Sequence, residues 1–398
     1  MQDIIMVSEM FYPDKTSTAY IISKIADRLS QSTNLTVIAG NRYYNGEKID
    51  SNILPKSYPI IRIRLDSLDK NKILSRSFKM VSTSIKFFMK LLSESTAQSE
   101  VIIVTNPAPF LILASILKRI KGFKLNIIVQ DVFPENASAA GIISSKSIIY
   151  KFLRKIWERS FSNADRLIVC GRDMKDIFMK KLKSYKTIPE IVVIENWADK
   201  NSAEIYKSKQ KDTPIEVLFA GNIGRCQGIE AFLNLIKDGD VTDISFRFRG
   251  DGAVVPYLKE FIKNNSKLNI RYEGRYSRDE QFSILEQCDI GLVTLSDDMY
   301  GLGVPSKTYN IMAAGKPILF IGDNNSEIAR VVKEYEVGYS FEPKEKLDII
   351  NWFKSINSTN REEFREKGLK ALAIATSLYS EDTILDKYSN LFIDNIDN

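Results

Sequence analysis

The chain has no histidine among its 398 residues. That absence excludes a Ser/His/Asp triad, an imidazole general base and histidine-ligated zinc. Cysteine is nearly as scarce. Cys170, Cys226 and Cys288 are far apart and follow no paired spacing, which points to reduced thiols in a cytoplasm rather than a disulfide frame. No apolar run reaches about 18 residues, so no transmembrane helix is expected. The N-terminus opens on Asp3-Ile4-Ile5-Met6-Val7-Ser8, which reads as a strand, so no signal peptide is expected. Two phosphate-binding signatures are also missing, the Gly-x4-Gly-Lys-Ser/Thr loop and a strict Gly-x-Gly-x-x-Gly fingerprint. Asp297 and Asp298 are adjacent acids on a loop, where solvation accounts for them better than metal ligation.

What is present is the composition of a soluble globular protein, 44% hydrophobic and 27% charged, in a chain long enough for two domains. The first half alternates apolar runs with helical patterns. Strands are expected at 3–8, 35–39, 60–65, 101–105, 125–130, 167–170 and 191–195, with helices near 19–29 and 110–120. The net charge of +6 is modest, and two helices concentrate basic residues. One spans 71–92 with Lys72, Arg76, Lys79, Lys86 and Lys90 among Phe78, Phe87, Phe88 and Met89. The other spans 148–161 with Lys151, Arg154, Lys155 and Arg159 beside Phe152 and Trp157. The first fits an anionic membrane surface and equally a core-packing helix with a solvated basic face, and the second offers a second basic and aromatic surface for such a membrane.

Between Trp197 and Pro214 the sequence turns polar and loses its periodicity, as in Lys207 to Asp212. This divides a first domain, 1–198, from a second, 214–379, with a helix at about 380–398 packing back on the first. The second half holds strands at 215–220, 244–249, 269–273, 290–295 and 318–322. Its helices are expected at 229–237, 254–263, 278–287 and 327–334, followed by a helical region from Lys344. An α/β fold of two Rossmann-like domains follows.

The stretch 301–317 is the centre of the functional reading. Gly301, Gly303 and Pro305 form a permissive loop, Ser306 reads as an N-cap, 308–314 as a short helix, and Gly315 with Pro317 as its stop. Free N–H groups, a helix start and Lys307 make a place for an anion. The alternative is an ordinary junction with a solvated first-turn lysine. Glycines also punctuate strand ends at Gly221, Gly224 and Gly228, at Gly250-Asp251-Gly252 and at Gly274-Arg275. By sheet topology these loops meet Lys307 on one rim, which favours a diphosphate site. In the first half, Gln130-Asp131-Val132-Phe133-Pro134-Glu135 puts two carboxylates just past a strand's carboxyl end, where open sheets bind ligands.

Gly221-Asn222-Ile223-Gly224-x-x-Gln227-Gly228, Gly250-Asp251-Gly252, Pro305-Ser306-Lys307-x-Tyr309, Met312 to Pro317 and Gln130-Asp131-x-x-Pro134-Glu135 resemble glycosyltransferase family 4. The likeness runs over nearly the whole chain. Within the family it is most similar to bacterial fucosamine-transferase-like enzymes of surface polysaccharide biosynthesis. The resemblance implies a GT-B fold, two Rossmann-like domains facing across a cleft, with the acceptor on the first and the nucleotide sugar on the second. Lys307 would bond the donor diphosphate, and Arg275 with Tyr276 would lie near the base. Gly221, Asn222, Gly224, Gly250, Asp251 and Ser306 would line the donor.

Several positions depart from the family pattern. Asn222 and Gln227 stand where a cationic Arg and Lys are common, with Arg225 available to compensate. A glutamate pair spaced by seven becomes Leu302 and Asn310. Backbone N–H groups of Gly303 and Val304 would then serve a sugar hydroxyl, and Asn310 a ribose hydroxyl. Thr16, Ser17 and Thr18 replace a glycine pair, and Gln130 or its neighbour replaces a histidine.

The implied activity is a retaining transfer, free of metal and cofactor, of an N-acetylated or 6-deoxy hexosamine from a UDP-sugar to a lipid-diphosphate-linked acceptor. It would act in O-antigen, capsule or exopolysaccharide synthesis, at the inner membrane face, without nucleic acid. Lys307 and Arg225 would stabilise the departing diphosphate, while Asp131 or Glu135 orients the acceptor hydroxyl. Glu135 also reads simply as a helix N-terminal charge. Two alternatives remain: a UDP-sugar 2-epimerase, disfavoured by the lack of histidine, and a non-catalytic nucleotide-sugar-binding subunit, made conceivable by Leu302 and Asn310.

Overall fold

The structure is a computed structural model and describes residues 2–14, 16–43, 47–49, 55–65, 73–199 and 213–393, with side chains from 78 onward in the helix that begins at 73. The polar stretch around Lys207 to Asp212, Asn71 and Lys72, and the side chain of Arg76 lie outside the described residues. The chain divides into two compact units, Met1–Ile194 with Leu385–Asn398, and Glu195–Ile384.

In the first unit the strands are β1 (Asp3–Ser8), β2 (Asn34–Gly40), β3 (Ile60–Ile63), β4 (Glu100–Val104), β5 (Lys124–Val129), β6 (Arg166–Val169) and β7 (Glu190–Val193). They form one sheet in the order β3-β2-β1-β4-β5-β6-β7, and every neighbouring pair is parallel. A parallel sheet is covered on both faces, which is why β4 is buried at every position and, after Glu100, reads as an apolar run from Val101 to Val104. The Ser17–Leu29 helix turns Ile21, Ile22, Ile25 and Leu29 onto the sheet. The Ala108–Lys121 helix stops at Gly122, whose left-handed backbone (φ 82°) lets its N–H reach the Lys118 carbonyl.

The second unit carries β8 (Glu216–Asn222), β9 (Ser245–Asp251), β10 (Ile270–Tyr272), β11 (Ile290–Thr294), β12 (Ile318–Ile321) and β13 (Gly338–Phe341). Their order is β10-β9-β8-β11-β12-β13, again parallel throughout. Its core is aromatic. Phe232 and Phe353 both meet the Phe246 ring edge-on, at 5.6 and 5.4 Å between centroids, and each such ring contributes about 2–3 kcal/mol by burial.

Three elements differ from expectation. The Arg172–Leu182 helix and β13 have no counterpart in the sequence reading. The first is dense in charge, burying only Asp173, Met174, Phe178, Lys181 and Leu182, and the second is a half-buried edge strand that starts on glycine. The helix expected over 278–287 is broken. A capping box between Ser277 and Glu280 opens a 3-10 turn, Arg278–Glu280, before the helix Gln281–Glu286 begins.

The last helix, Glu381–Ile393, ends in the first unit. Asp386 pairs with Arg28 at 2.8 Å, and Phe392 lies under the Arg166 guanidinium at 5.8 Å. On the Ile73–Glu94 helix, Phe87 and Leu91 enter the core, while Phe78, Val81, Ile85 and Met89 are exposed at intervals of three and four residues. The Ile148–Ser162 helix buries Trp157 and exposes Ile148, Ile149 and Phe152. Among the described residues no helix is long and apolar enough to cross a membrane.

Strand order reverses direction at two places, between β1 and β4 and between β8 and β11. The crevices outside these switch points, at the carboxyl ends of the strands, are where open α/β sheets take ligands.

Candidate functional site

At the second switch point β8 ends on Gly221-Asn222, in register with Gly250-Asp251 of β9. A Cβ on Gly250 (φ 131°) would stand 1.8 Å from the Gly221 carbonyl oxygen, so only glycine allows the two strand ends to meet. Gly221 (φ 141°) turns its bare Cα toward Lys307. A Cβ there would lie 3.4 Å from Lys307 Cε and 3.5 Å from Nζ. The Lys307 ammonium donates to Gln227 Oε1 at 2.9 Å and sits 3.6 Å from the centre of the Phe219 ring. No carboxylate among the described residues pairs with it. Burial without a countercharge disfavours the cation and lowers Lys307 from its ordinary value near 10.5 to about 7.

The loop after β8 is tied across the switch point to the end of β11. The Thr294 hydroxyl donates to the Gln227 carbonyl, and the Ser296 N–H donates to the Cys226 carbonyl at 3.1 Å. Gly228 (φ 64°) packs so closely on Leu295 that a Cβ would come within 3.1 Å of its carbonyl. Arg225 and Asn222 are exposed on this loop. The Asn222 carboxamide fills the gap between two glycines: a Cβ on Gly224 would stand 2.9 Å from its nitrogen, and one on Gly252 2.8 Å from its oxygen.

Beside Lys307, the N–H groups of Gly303 and Val304 find no acceptor among the described residues. Leu302 is buried and fills core space. Ser306 corrects an expectation. It precedes the Lys307–Ala313 helix with right-handed backbone (φ −61°, ψ −22°) and makes no capping bond, because a cap requires an extended backbone. Asn310 is committed elsewhere. Its oxygen accepts from the Asp199 N–H at 2.8 Å and its nitrogen donates to the Asp199 carboxylate at 3.1 Å, while Arg278 pairs with the same carboxylate.

On the flank of the site Arg275 pairs with Asp251 at 2.8 Å and holds its carboxyl below the usual carboxylate range. Burial pushes the Tyr276 phenol up to about 12, against the opposing fields of Arg249 and Arg278. Arg249 Nε is buried without a hydrogen-bond acceptor.

In the first unit the predicted residues scatter along the strand-end rim. Thr16 precedes the Ser17–Leu29 helix with extended backbone, and its N–H donates to Asp14 Oδ1 at 2.8 Å; Ser17 and Thr18 begin the helix. Asp131 accepts from Asn136 at 2.7 Å. Surrounding protein raises its carboxyl despite that bond, although the residue keeps a face open to solvent. Glu135 opens the short Glu135–Ala139 helix, but its carboxylate is held at 2.6 Å by buried Lys181, with Arg154 at 3.9 Å. Lys181, Asp199 and Arg249 escaped the sequence reading, and so did Glu9, which follows β1 as Asp131 follows β5. The strand-end rule that selects Asp131 selects Glu9 as well. Among the described residues no group of three His, Cys, Asp or Glu side chains is placed to hold a metal.

Two parallel Rossmann-like units, with glycine loops and a lysine at the second switch point, define the GT-B class of fold. No protein-family profile matches the chain. It is 32% identical over 400 residues to a Pseudomonas aeruginosa protein named probable glycosyltransferase WbjE, covering 98% of this chain and 97% of that one. The chain therefore belongs to the glycosyltransferases. Among solved structures it is similar in fold to Anabaena Alr3699/HepE in complex with UDP (TM-score 0.70, 12% identity, 99% of this chain and 100% of that one). It is likewise similar to WaaG, a glycosyltransferase involved in lipopolysaccharide biosynthesis (TM-score 0.65, 10% identity, 98% and 99% covered).

Proposed function

We propose that the protein is a retaining, metal-independent glycosyltransferase of family 4, resembling the fucosamine-transferase-like branch. It moves an N-acetylated or 6-deoxy hexosamine from a UDP-sugar to a lipid-diphosphate-linked acceptor at the cytoplasmic face of the membrane, in O-antigen, capsule or exopolysaccharide synthesis. The observation that carries this reading is Lys307. It is a largely enclosed ammonium with no carboxylate partner among the described residues, set against the bare Cα of Gly221 at a topological switch point. A diphosphate supplies the missing charge. The N–H groups of Gly303 and Val304, with Arg225 on the facing loop, add donors for phosphate or sugar oxygens. The UDP in the Anabaena complex supports the choice of nucleotide.

In the reaction, the bond between the sugar's anomeric carbon and the diphosphate oxygen breaks, and its electron pair leaves with the diphosphate. The acceptor hydroxyl bonds to the same face of that carbon and passes its proton to the leaving phosphate oxygen. No strong base is needed, which suits a chain without histidine. Lys307 and Arg225 stabilise the charge that develops on the diphosphate. Asp131, with its raised carboxyl and open face, remains the better candidate of the two acids for orienting the acceptor. Glu135 is occupied by Lys181.

The apolar stripe Phe78, Val81, Ile85 and Met89, flanked by Lys86 and Lys90, supports peripheral contact with an anionic bilayer, as do Ile148, Ile149 and Phe152 on the second basic helix.

The test has two parts. UDP should raise the melting temperature well above the effect of GDP, since a ligand bound only by the folded state stabilises it. Lys307→Ala should then lower turnover by about two to three orders of magnitude with the fold intact. Near-normal turnover in that variant removes the diphosphate role.

A further inference from the structure

Glu9 stands at the other switch point, immediately after β1 and beside β4. Its backbone is fixed. The Gly40 N–H donates to the Glu9 carbonyl at 3.2 Å, and a Cβ on Gly40 would come within 2.6 Å of that oxygen, so the end of β2 is packed against it. The next turn is held by Ser8 Oγ, which donates to the Met10 carbonyl at 2.7 Å. The Glu9 side chain is only 17% exposed, yet its carboxylate accepts no hydrogen bond from any described residue. Its one charged neighbour among them is Lys79 of the Ile73–Glu94 helix, 4.0 Å away.

A carboxylate this enclosed reaches water on one side only, and a ligand hydroxyl that replaces that water gains a charge-assisted hydrogen bond. An ionised carboxylate only accepts, so the partner must bring O–H or N–H donors. A phosphate is excluded by like charge. Burial also raises the Glu9 carboxyl above its ordinary value, the Lys79 charge notwithstanding.

We propose that the Glu9 carboxylate is the hydrogen-bond acceptor for a hydroxyl of the acceptor saccharide, with Lys79 as the positioning residue that keeps it ionised. The assignment rests on the reading of the first unit as the acceptor-binding one. It makes Glu9 a specificity residue, since a buried acceptor discriminates strongly against a sugar lacking the hydroxyl it is built to hold.

The experiment uses the full chain and octyl glycosides of glucose, galactose and N-acetylglucosamine, below their micelle concentrations, with UDP titrated in parallel. At least one glycoside should bind the wild type at pH 8, and Glu9→Ala should weaken it about tenfold or more, as for a hydrogen bond to a charged group. UDP affinity should not change. Removing the contacted hydroxyl from the glycoside should cost the wild type the same factor and cost Glu9→Ala nothing further, a coupling that a purely structural role for Glu9 does not produce. In Lys79→Met, glycoside binding should fall off at a higher pH on acidification than in the wild type, because the carboxyl has lost the cation that faces it at 4.0 Å. Glycoside binding that survives Glu9→Ala overturns the assignment, as does a wild type that binds UDP but none of the glycosides. Failure to bind UDP as well brings down the transferase reading and this assignment together.

Discussion

At the scale of single residues, Lys307 is the position whose chemistry is most constrained by its surroundings. In the unfolded chain it titrates near 10.5, and in the folded, ligand-free protein at about 7. Between those values the unfolded state binds more protons, so this group's contribution to stability rises with pH across that window. Below about pH 7 both states are protonated and the cost of the buried cation is fully felt. Lys307→Met should therefore raise the melting temperature most at pH 6, with the gain fading toward pH 10; equal gain at both ends would contradict burial of an uncompensated charge. A bound diphosphate restores the ordinary protonation, which gives a second expectation. UDP binding at pH 8 should take up protons, read by calorimetry in buffers of different ionisation enthalpy. Lys307→Met should take up none. Lys307 was legible in the sequence because a glycine loop and a helix start bracket it within a few residues. Asn310 was not, since residue type gives its bonding capacity but not its partner, and Asp199 is 111 positions away. Ser306 failed for a similar reason, a cap being a matter of backbone angles that a serine permits but does not impose.

At the scale of elements, the parallel strands were legible because burial on both faces writes them as short apolar runs. Most appear within a residue or two of their expected places. What escaped was half-buried: β13 at a sheet edge, and the Arg172–Leu182 helix, whose charges hide its apolar face. The Ile73–Glu94 helix shows the opposite case. Its amphipathic pattern was plain, yet the sequence did not say which aromatics face inward. In the fold Phe87 is wholly buried and Phe78 is 66% exposed. That division separates binding from stability. Phe78→Ser with Ile85→Ser should weaken attachment to vesicles containing phosphatidylglycerol severalfold, while shifting stability by no more than about 0.5 kcal/mol, as exposed positions do. Sedimentation with the vesicles reads the first and urea unfolding the second. Attachment unchanged by the double substitution would make the stripe an ordinary surface.

At the scale of the whole molecule, the alternation of strands and helices, twice over, foretold two parallel sheets. Strand order could not be read the same way, because hydrogen-bonded neighbours are decided by the handedness of crossovers and not by adjacency in sequence. The consequence for function is that ligand chemistry is divided between units. Every glycine loop that approaches Lys307 belongs to Glu195–Ile384, whereas Glu9 and Asp131 belong to Met1–Ile194. A nucleotide held by the former stabilises that unit directly, by mass action on its own local opening. Hydrogen exchange of the full chain with saturating UDP should accordingly slow at 221–228, 250–252 and 301–310. The strand-end segments 9–14 and 130–136 should keep their free-protein rates. Protection appearing first at 9–14 or 130–136 would move the nucleotide to the first unit and leave Lys307 without its counter-ion. Protection confined to the second unit ties the charge on Lys307, the glycine contacts of β8 and β9, and the transfer chemistry to one switch point.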